Sequence, residues 1–230
     1  MKLLAIETST RLGGLAIVHD RSGLLGEIRF NLNISHSERI MSNLDFLLKS
    51  TGLLPADLDA IAVSAGPGSF TGLRVGISTA KGLAFQTGVP ILPVSTLEAL
   101  ASALSYSELQ ICPVIYARKN EIFTAIYRAD KGRLQLKLEE AAMSPEDLIA
   151  RITEPTIFSG SGLTNYGNLM KKKLADKFFA APTALAFSSA VSVAETAFRH
   201  YHGNTGKPDA AALAPRYLRA CQAETKSRRT

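Results

Sequence analysis

Residues 7–10 bring one carboxylate and three hydroxyls together directly after an apolar stretch. The run is Glu7, Thr8, Ser9 and Thr10, and residues 3–6 before it are all apolar. Such groups at the tip of a β-hairpin can hold a phosphate or Mg²⁺, but Mg²⁺ takes several oxygen ligands and one carboxylate supplies few of them. Glu7, Thr8 and Ser9 are therefore only weak candidates for a cofactor site.

A glycine-rich run at residues 66–72 lies between a short apolar stretch and a segment with a helical pattern. The turn from a strand into a helix leaves backbone N–H groups free, and these can face a phosphate. Gly68 and Ser69 are the candidates for such a contact, and Ser69 and Thr71 can also cap the helix that follows. The run is not a Walker loop, because no Gly-Lys-Ser/Thr follows it. Its spacing alone favours a well-capped turn that binds nothing.

Other side chains that commonly do chemistry lack the spacing for it. The four histidines form no His-x-x-x-His or His-Glu-x-x-His pattern, and the two cysteines are far apart, with no Cys-x-x-Cys. We therefore predict surface histidines, no zinc site and no disulfide framework, as expected in a reducing cytoplasm. No serine or cysteine has a recognisable base spacing, so no catalytic residue and no metal ligand is predicted. The residues concerned are His19, His36, His200, His202, Cys112 and Cys221.

Hydrophobic periodicity and turn signals divide the chain into two similar halves. Each half is predicted to contain the order βββαβαβα, without obvious repetition of sequence. This order predicts an α/β fold of two ribonuclease-H-like lobes, with mixed sheets covered by helices. We expect an N-terminal lobe at residues 1–104, a smaller second lobe at 105–215 whose last helix is free to pack back on the first, and a basic, disordered tail at 216–230.

Two helices of the first lobe carry patterns typical of close packing. The helix after residues 66–72 has small residues at four-residue spacing, and the helix before it has an apolar face. A close neighbour would offset the roughly 1 kcal/mol that each of Gly76 and Gly82 costs in helix propensity relative to alanine. That neighbour is either another element of the same chain or a partner chain. The residues of the two faces are Ile40, Leu44, Leu47, Leu48, Gly72, Leu73, Gly76, Ala80 and Ala84.

The positive charge of the chain is concentrated at its end. The net charge is +6, and the residues from 216 onward contribute five basic side chains against the single acid Glu224. Such a tail can make weak, salt-sensitive phosphate contacts, or it can be a solvated, frayed terminus. No apolar run approaches the roughly 18 residues that would span a bilayer, and Glu7 follows too closely on the start for a signal peptide. We therefore expect a cytoplasmic protein without membrane contact.

Several runs of residues resemble the bacterial tRNA threonylcarbamoyladenosine biosynthesis family TsaB, also called the YeaZ-type or glycoprotease-like family. The most specific is Gly66-Pro67-Gly68-Ser69-Phe70-Thr71-Gly72-Leu73-Arg74. It continues at residues 75–77 and 80–84, and further matches lie at 4–9, 36–39, 94–98 and 215–219. The resemblance spans essentially the whole chain, and it implies the two-lobed architecture of actin and the sugar kinases, known as ASKHA.

The resemblance implies a non-catalytic partner subunit. In the catalytic paralogue, a similar glycine loop is followed by two metal-binding histidines four residues apart, and the aligned positions here are Thr96 and Leu100. Leucine cannot ligate a metal and a lone threonine hydroxyl is a poor ligand, so the metal-dependent transfer chemistry is expected to be absent. We expect the chain to be required for threonylcarbamoylation of the adenosine next to the anticodon, in tRNAs that read codons beginning with A. It would act by dimerising with that paralogue and activating it.

The resemblance also implies partners and an interface. The partners are the TsaD-type transferase, the TsaE-type ATPase subunit of the same complex and, indirectly, tRNA, with a homodimer when the chain is alone. No cofactor is expected in the chain itself, and ATP or ADP and a metal ion only in the complex. The family's dimer surface is formed by the first two helices of the N-terminal lobe, which matches the nine residues of the two faces above. We therefore expect Gly76→Leu to block the heterodimer and to leave the monomer folded.

Two other interpretations stay open. A nucleotide-binding ATPase or phosphotransferase would use the cleft between the lobes and would need acids from both hairpins. Only Glu7 is evident, because the second hairpin, at residues 117–121, is basic. A peptidase, as the older family label suggests, would need a nucleophile–base or metal constellation, and the sequence contains none.

Overall fold

The first half of the chain forms a five-stranded mixed sheet in the order β3-β2-β1-β4-β5. A computed structural model describes residues 1–31, 36–203 and 213–218 of the chain. Its elements up to residue 102 are β1 (Lys2–Glu7), β2 (Leu12–His19), β3 (Gly23–Asn31), α1 (His36–Thr51), β4 (Ala60–Gly66), α2 (Phe70–Thr87), β5 (Ile91–Ser95) and α3 (Thr96–Ser102). The central strand β1 pairs antiparallel with β2 and parallel with β4.

The second half forms another five-stranded mixed sheet, in the order β10-β9-β6-β7-β8. Its elements are β6 (Gln110–Arg118), β7 (Glu121–Asp130), β8 (Arg133–Met143), α4 (Pro145–Arg151), β9 (Thr156–Ser159), α5 (Gly162–Leu174), β10 (Phe178–Ala180) and α6 (Ala190–Gly203). The central strand β6 pairs antiparallel with β7 and parallel with β9. None of the helices described here is long and apolar enough to cross a membrane.

The predicted α/β fold of two ribonuclease-H-like lobes is confirmed. Both halves have the order βββαβαβα, and both sheets have the same arrangement when the strands are counted from the first of each half. The predicted cap at Ser69 is confirmed, and Ser95 and Ser144 cap helices in the same way: each of the three hydroxyls accepts a hydrogen bond from a backbone N–H of the following helix. Residues 32–35 and the side chains of residues 36–39 lie outside the described part of the chain.

The first sheet is covered by helices on both faces, and alternate side chains of β1 pack against the helices of each face. Successive side chains of a strand point to opposite faces, so Leu4 and Ile6 pack in a core with α1 and α2, whereas Leu3 and Ala5 pack in a second core with α6. All four side chains are fully buried. The second core means that α6, the last of the described helices, completes the first lobe.

The second sheet packs α4 and α5 on one face and α3 on the other. Phe158 of β9 is fully buried in the core with α4 and α5. Leu97 and Leu100 of α3 pack against the opposite face, in a core with Ile111 and Ala125 of the second sheet. Since α3 follows directly on β5 of the first sheet, it connects the two lobes and lies at their junction.

An ion pair that depends on pH links α6 to α3. Nε2 of His200 lies 2.8 Å from Oε1 of Glu98. The hydrogen bond to Glu98 raises the pKa of His200 above its ordinary value, against the opposing effects of partial burial and of Arg199. The imidazolium form is therefore favoured in the folded chain.

We expect this pair to stabilise the fold at low pH only. A raised pKa in the folded state gives a stabilisation that is fully present below the pKa of the unfolded histidine, about 6.5, and is lost as the pH rises through the higher folded value. The melting temperature of the wild type should therefore exceed that of Glu98→Gln near pH 5.5 to 6, with the difference narrowing toward pH 8.5. A difference that is constant across this range would contradict the role of the histidine charge.

Candidate functional site

Glu7 ends β1 beneath the turn at residues 8–10, and its carboxylate is fully buried. Oε1 accepts hydrogen bonds from the backbone N–H of Ser9 at 2.7 Å and from the hydroxyl of Ser9 at 2.5 Å. Oε2 accepts hydrogen bonds from the hydroxyls of Ser64 at 2.5 Å and Ser188 at 2.7 Å. These four donors fill the roughly four acceptor positions of a carboxylate. Glu7 thus joins β1 to β4 and to the segment before α6.

Thr8 lies under α2, and the small residues of that helix leave room for it. The hydroxyl of Thr8 donates a hydrogen bond to the carbonyl oxygen of Gly72 at 2.8 Å. A Cβ atom on Gly72 would lie within 3.0 Å of the Thr8 carbonyl oxygen, and one on Gly76 within 3.0 Å of the Thr8 hydroxyl, a separation that real Cβ atoms essentially never show. Gly72 and Gly76 of the stripe are therefore required by an internal neighbour, the end of β1 and its turn.

The nine residues of α1 and α2 that were predicted to form the partner surface are all buried within the chain itself, and their role in a partner interface stays a prediction. Spacing identifies the packed face of a helix, but it does not tell whether the neighbour is internal, and here both faces lie against the first sheet. For the same reason, Gly76→Leu is expected to destabilise the monomer rather than to leave it folded. The nine buried residues are Ile40, Leu44, Leu47, Leu48, Gly72, Leu73, Gly76, Ala80 and Ala84.

The same two helices present a different set of residues to solvent. Phe85 of α2 is 95% exposed, and Phe46 of α1 is 63% exposed. No atom of the described part of the chain lies within 4 Å of the position that a Cβ on Gly82 would take. Gly82 and Phe85 are three residues apart and so lie on the same face of the helix. Packing among the described residues does not explain a glycine at this position.

A cavity of about 840 Å³ lies between the two lobes. The first lobe contributes the turn after β1, the end of β3 and the start of α2. The second lobe contributes the end of β6, part of β7 and the start of α5. The lining residues are Ser9, Thr10, Arg11, Leu12, Asn31, Gly68, Ser69, Phe70, Ile115, Tyr116, Ala117, Phe123, Ser161, Thr164, Asn165 and Phe187. Both lobes are therefore needed to form the cavity.

Three of the five weak candidates for a cofactor site line this cavity. Ser9, Gly68 and Ser69 are on its wall, whereas Glu7 and Thr8 are buried beneath it; their role toward a cofactor stays a prediction. The wall from the second lobe was not among the predicted site residues. The signal that could have found it is the turn at residues 159–162, which leads from a strand into a helix as residues 66–72 do.

A magnesium nucleotide, which the fold class implies, does not fit the residues of this cavity. Mg²⁺ is usually bound through one or two carboxylates together with substrate phosphates. The described residues that line the cavity include no aspartate or glutamate, and both oxygens of Glu7 are occupied. On the second hairpin, Glu121 is paired with Arg118 at 3.0 Å. In the described ranges, no three His, Cys, Asp or Glu side chains are grouped so that they could hold a metal ion.

Residues 213–218, which we call the C-terminal strap, pack against both lobes. Leu213 packs on the core of the first sheet and Leu218 on the core around α3. The backbone N–H of Arg216 donates a hydrogen bond to the carbonyl oxygen of Ala65 at 2.6 Å. Nη1 of the Arg216 side chain lies 3.1 Å from Oε2 of Glu140 on β8. The two groups form an ion pair, but their geometry is not that of a hydrogen bond.

The predicted tail begins inside this strap. Residues 216–218 contact the body of the protein, and Tyr217 stacks on Phe70 with ring centroids 5.4 Å apart. The rest of the predicted tail, residues 219–230, lies outside the described residues, and so do its remaining basic side chains.

The two positions aligned with the metal ligands of the paralogue lie in the interior. Thr96 and Leu100 are 0% and 1% exposed, and Leu100 packs in the core around α3. Among the described residues, the hydroxyl of Thr96 finds no hydrogen-bond partner, and neither Thr96 nor Leu100 lines the cavity. Neither side chain is therefore placed to hold a metal ion between the lobes.

Comparison with known proteins identifies relatives over nearly the whole chain. The family model for TsaD, tRNA N6-adenosine threonylcarbamoyltransferase, matches residues 31–227. The tRNA threonylcarbamoyladenosine biosynthesis protein TsaB of Bacillus subtilis (strain 168) is 32% identical, with 98% of this chain and 97% of that protein covered. The protein of the same name from Haemophilus influenzae is 33% identical, with 80% and 82% covered.

Solved structures agree with this relationship. YeaZ from Pseudomonas aeruginosa superimposes with a TM-score of 0.78 at 27% identity, covering 94% of this chain and 99% of that one. A ROK hexokinase from Thermus thermophilus, at 11% identity and a TM-score of 0.51, shares the fold alone. The two-lobed fold, the glycine-rich turn that begins α2 and the relatives found along the whole chain lead to one assignment: the chain belongs to the TsaB (YeaZ) family of tRNA threonylcarbamoyladenosine biosynthesis proteins.

Proposed function

We propose that the chain is a non-catalytic partner subunit, required for threonylcarbamoylation of the adenosine next to the anticodon in tRNAs that read codons beginning with A. It acts by dimerising with the metal-dependent transferase paralogue and activating it. The match of the transferase family's own model to residues 31–227 supports this pairing. Related chains can present equivalent surfaces to each other, as the two copies do in a symmetric dimer.

Gly82 is the observation that carries the proposal. A glycine in the middle of a helix costs about 1 kcal/mol relative to alanine, and the space around Gly82 is open. By contrast, Gly72 and Gly76 are explained by Thr8 beneath them. If a partner helix packs closely against α2, there is no room for a side chain at position 82, and a glycine is required there.

Exposed phenylalanines support the same surface. Phe85, one turn from Gly82, is almost fully exposed, and Phe46 on α1 is largely exposed. Aromatic side chains are enriched at the centres of protein interfaces, where their burial contributes much of the binding energy. Both helices cover the same face of the first sheet. We therefore propose that the partner packs on the solvent side of α1 and α2, opposite the nine buried residues.

The absence of chemistry in the chain itself is proposed from the positions of Thr96 and Leu100. A buried leucine and a buried threonine cannot replace two histidine ligands, and both lie away from the cavity. Transfer of the threonylcarbamoyl group is therefore assigned to the paralogue. We further propose that the chain works with the TsaE-type ATPase subunit, contacts tRNA indirectly and is located in the cytoplasm. In the absence of the paralogue it forms a homodimer. Any ATP, ADP or metal ion belongs to the complex.

Gly82→Arg should weaken binding to the partner without destabilising the isolated chain. Arginine in a tight helix contact adds bulk and an unpaired charge, so we expect affinity for the transferase paralogue to fall by about 100-fold or more. The isolated chain should lose no stability, because arginine is a better helix former than glycine by up to about 0.8 kcal/mol. Titration calorimetry with the paralogue, together with thermal melting of the variant alone, measures both effects.

The same variant tests the function in a reconstituted reaction. Threonine, bicarbonate, ATP and tRNA are supplied with the paralogue and the ATPase subunit, and modified adenosine is counted in digested tRNA. We expect product with the wild type and with Asn168→Arg, a matched control on the exposed side of α5, and little with Gly82→Arg. Product from this chain by itself would overturn the non-catalytic assignment. Normal complex formation by Gly82→Arg would overturn the proposal that the partner packs on the solvent side of α1 and α2.

A further inference from the structure

The second lobe has a surface on which positive charge is concentrated. Residues 118–121 and 162–177, which we call the basic surface, contain six basic side chains and two acidic ones. The rest of residues 1–215 contains 15 basic and 17 acidic side chains. The body of the chain is therefore close to neutral as a whole, but its charge is unevenly distributed. The basic residues concerned are Arg118, Lys119, Lys171, Lys172, Lys173 and Lys177.

Hydrogen bonds hold the hairpin between β6 and β7 against α5. The backbone N–H of Asn120 donates to the hydroxyl of Tyr166 at 2.7 Å, and that hydroxyl donates to the carbonyl oxygen of Arg118 at 3.4 Å. Residues 171–173 follow Tyr166 by about 8 to 10 Å along the helix, since each residue adds about 1.5 Å. The hairpin and the end of α5 therefore belong to one surface.

The lysines of the basic surface are available to a partner. Lys119 and residues 171–173 are exposed, and Lys177 is half-buried. None of these five lysines forms an ion pair with another described residue. The helix dipole stabilises cations in the last turn of a helix, which explains residues 171–173. It does not explain Lys119 and Lys177, because both lie outside α5.

The other exposed side chains of α5 are polar and uncharged. They belong to Thr164, Asn165 and Asn168, and no large apolar side chain of residues 162–177 is exposed. A helix that lies on a membrane presents large apolar residues to the lipid beside its cations. Lysine, threonine and asparagine side chains are common donors to the phosphates of nucleic acids. The composition of this surface therefore favours a nucleic-acid backbone over a membrane.

We propose that the basic surface binds the phosphate backbone of tRNA directly. Duplex nucleic acid presents phosphates every few ångströms, so several of them can meet lysines that are spread over about 10 Å. The choice of tRNA rests on the proposed function, in which the paralogue acts on the adenosine next to the anticodon. The basic surface adds a direct contact with the backbone of the same tRNA to the indirect contact through the complex.

Fluorescence anisotropy of a fluorescein-labelled, unmodified tRNA transcript measures this contact with the full chain alone. We expect binding in about 50 mM KCl that weakens steeply toward about 200 mM, because each phosphate contact releases counterions. No paralogue is present, so the result does not depend on whether the chain is a partner subunit. A wild-type chain that does not bind the transcript in the lower salt overturns the direct contact and leaves the proposed partner role standing.

Matched charge reversals locate the contact. Lys171→Glu/Lys172→Glu should weaken binding by about tenfold or more and should reduce the slope of log affinity against log salt by about 1 to 2. Lys131→Glu/Lys137→Glu makes the same change in net charge on the exposed hairpin of β7 and β8, and it should weaken binding by less than about threefold. Equal losses in the two double variants overturn the location.

A variant outside the helix guards against a structural effect at the end of α5. Lys119→Glu leaves α5 unchanged and should also weaken binding, by about threefold or more, with an unchanged melting curve. Unchanged affinity in this variant overturns the assignment of the hairpin to the surface. Vesicles of phosphatidylcholine and phosphatidylserine are the comparison probe, and a chain that binds these vesicles but not the transcript overturns the choice of RNA.

Discussion

Gly76→Leu should prevent the chain from folding stably, with a loss of about 3 kcal/mol or more in the free energy of unfolding. Even the first side-chain carbon would collide with the hydroxyl of Thr8. That hydroxyl is fixed by its hydrogen bond to Gly72, and a whole leucine would separate α2 from β1. Urea unfolding followed by circular dichroism measures the loss.

Gly82→Ala is the matched control for this substitution. It lies in the same helix, and its Cβ would meet no atom of the residues that the structure describes within 4 Å, so we expect a gain of about 1 kcal/mol from helix propensity alone. A loss of unfolding free energy for Gly76→Leu together with a gain for Gly82→Ala would show that Gly76 is required by an internal contact and that Gly82 is not. A wild-type urea midpoint for Gly76→Leu would refute the close approach of α2 to the turn after β1.

Glu7→Ala should lower the free energy of unfolding by about 4 kcal/mol. The substitution removes the only acceptor that Ser64, Ser188 and the Ser9 N–H are seen to use within the described chain, and leaves these buried donors unsatisfied. For a chain of this length the loss corresponds to a melting temperature lower by roughly 10 °C. Differential scanning calorimetry measures it.

Two controls separate the loss of the acceptor from other effects at Glu7. Glu108→Ala removes an exposed carboxylate and should leave the melting temperature nearly unchanged. Ser188→Ala removes one donor but leaves the other three bonds, so about 1 kcal/mol should be lost. If Glu7→Ala melts like Glu108→Ala, the carboxylate does not hold β1, β4 and the segment before α6 together as described.

Most of the fold could be predicted from the sequence because its signals are local. Apolar runs, turn residues and serine caps identified the strands and helices of both halves, and the repeated order predicted two similar lobes. The cap at Ser69 could be predicted in this way because a cap depends on residues only a few positions away.

The candidate site could be predicted only in part, because its decisive contacts join distant residues. Nothing near Glu7 in the sequence indicates that Ser188 will donate a hydrogen bond to it. The small-residue stripe gave the correct packed face of α2, but it could not tell an internal neighbour from a partner. Gly82 was noted for its cost in helix propensity, and only the open space around it distinguishes it from Gly76.

The position of α6 determines the order in which a nascent chain can finish folding on the ribosome. Leu3, Ala5 and Ala16 on one face of the first sheet pack against Ala190 and Val193 of α6. Synthesis of the residues between takes on the order of 10 s. During that time the emerging sheet has one bare apolar face, which is a target for chaperones. The lobe that is translated first is therefore the lobe that is completed last.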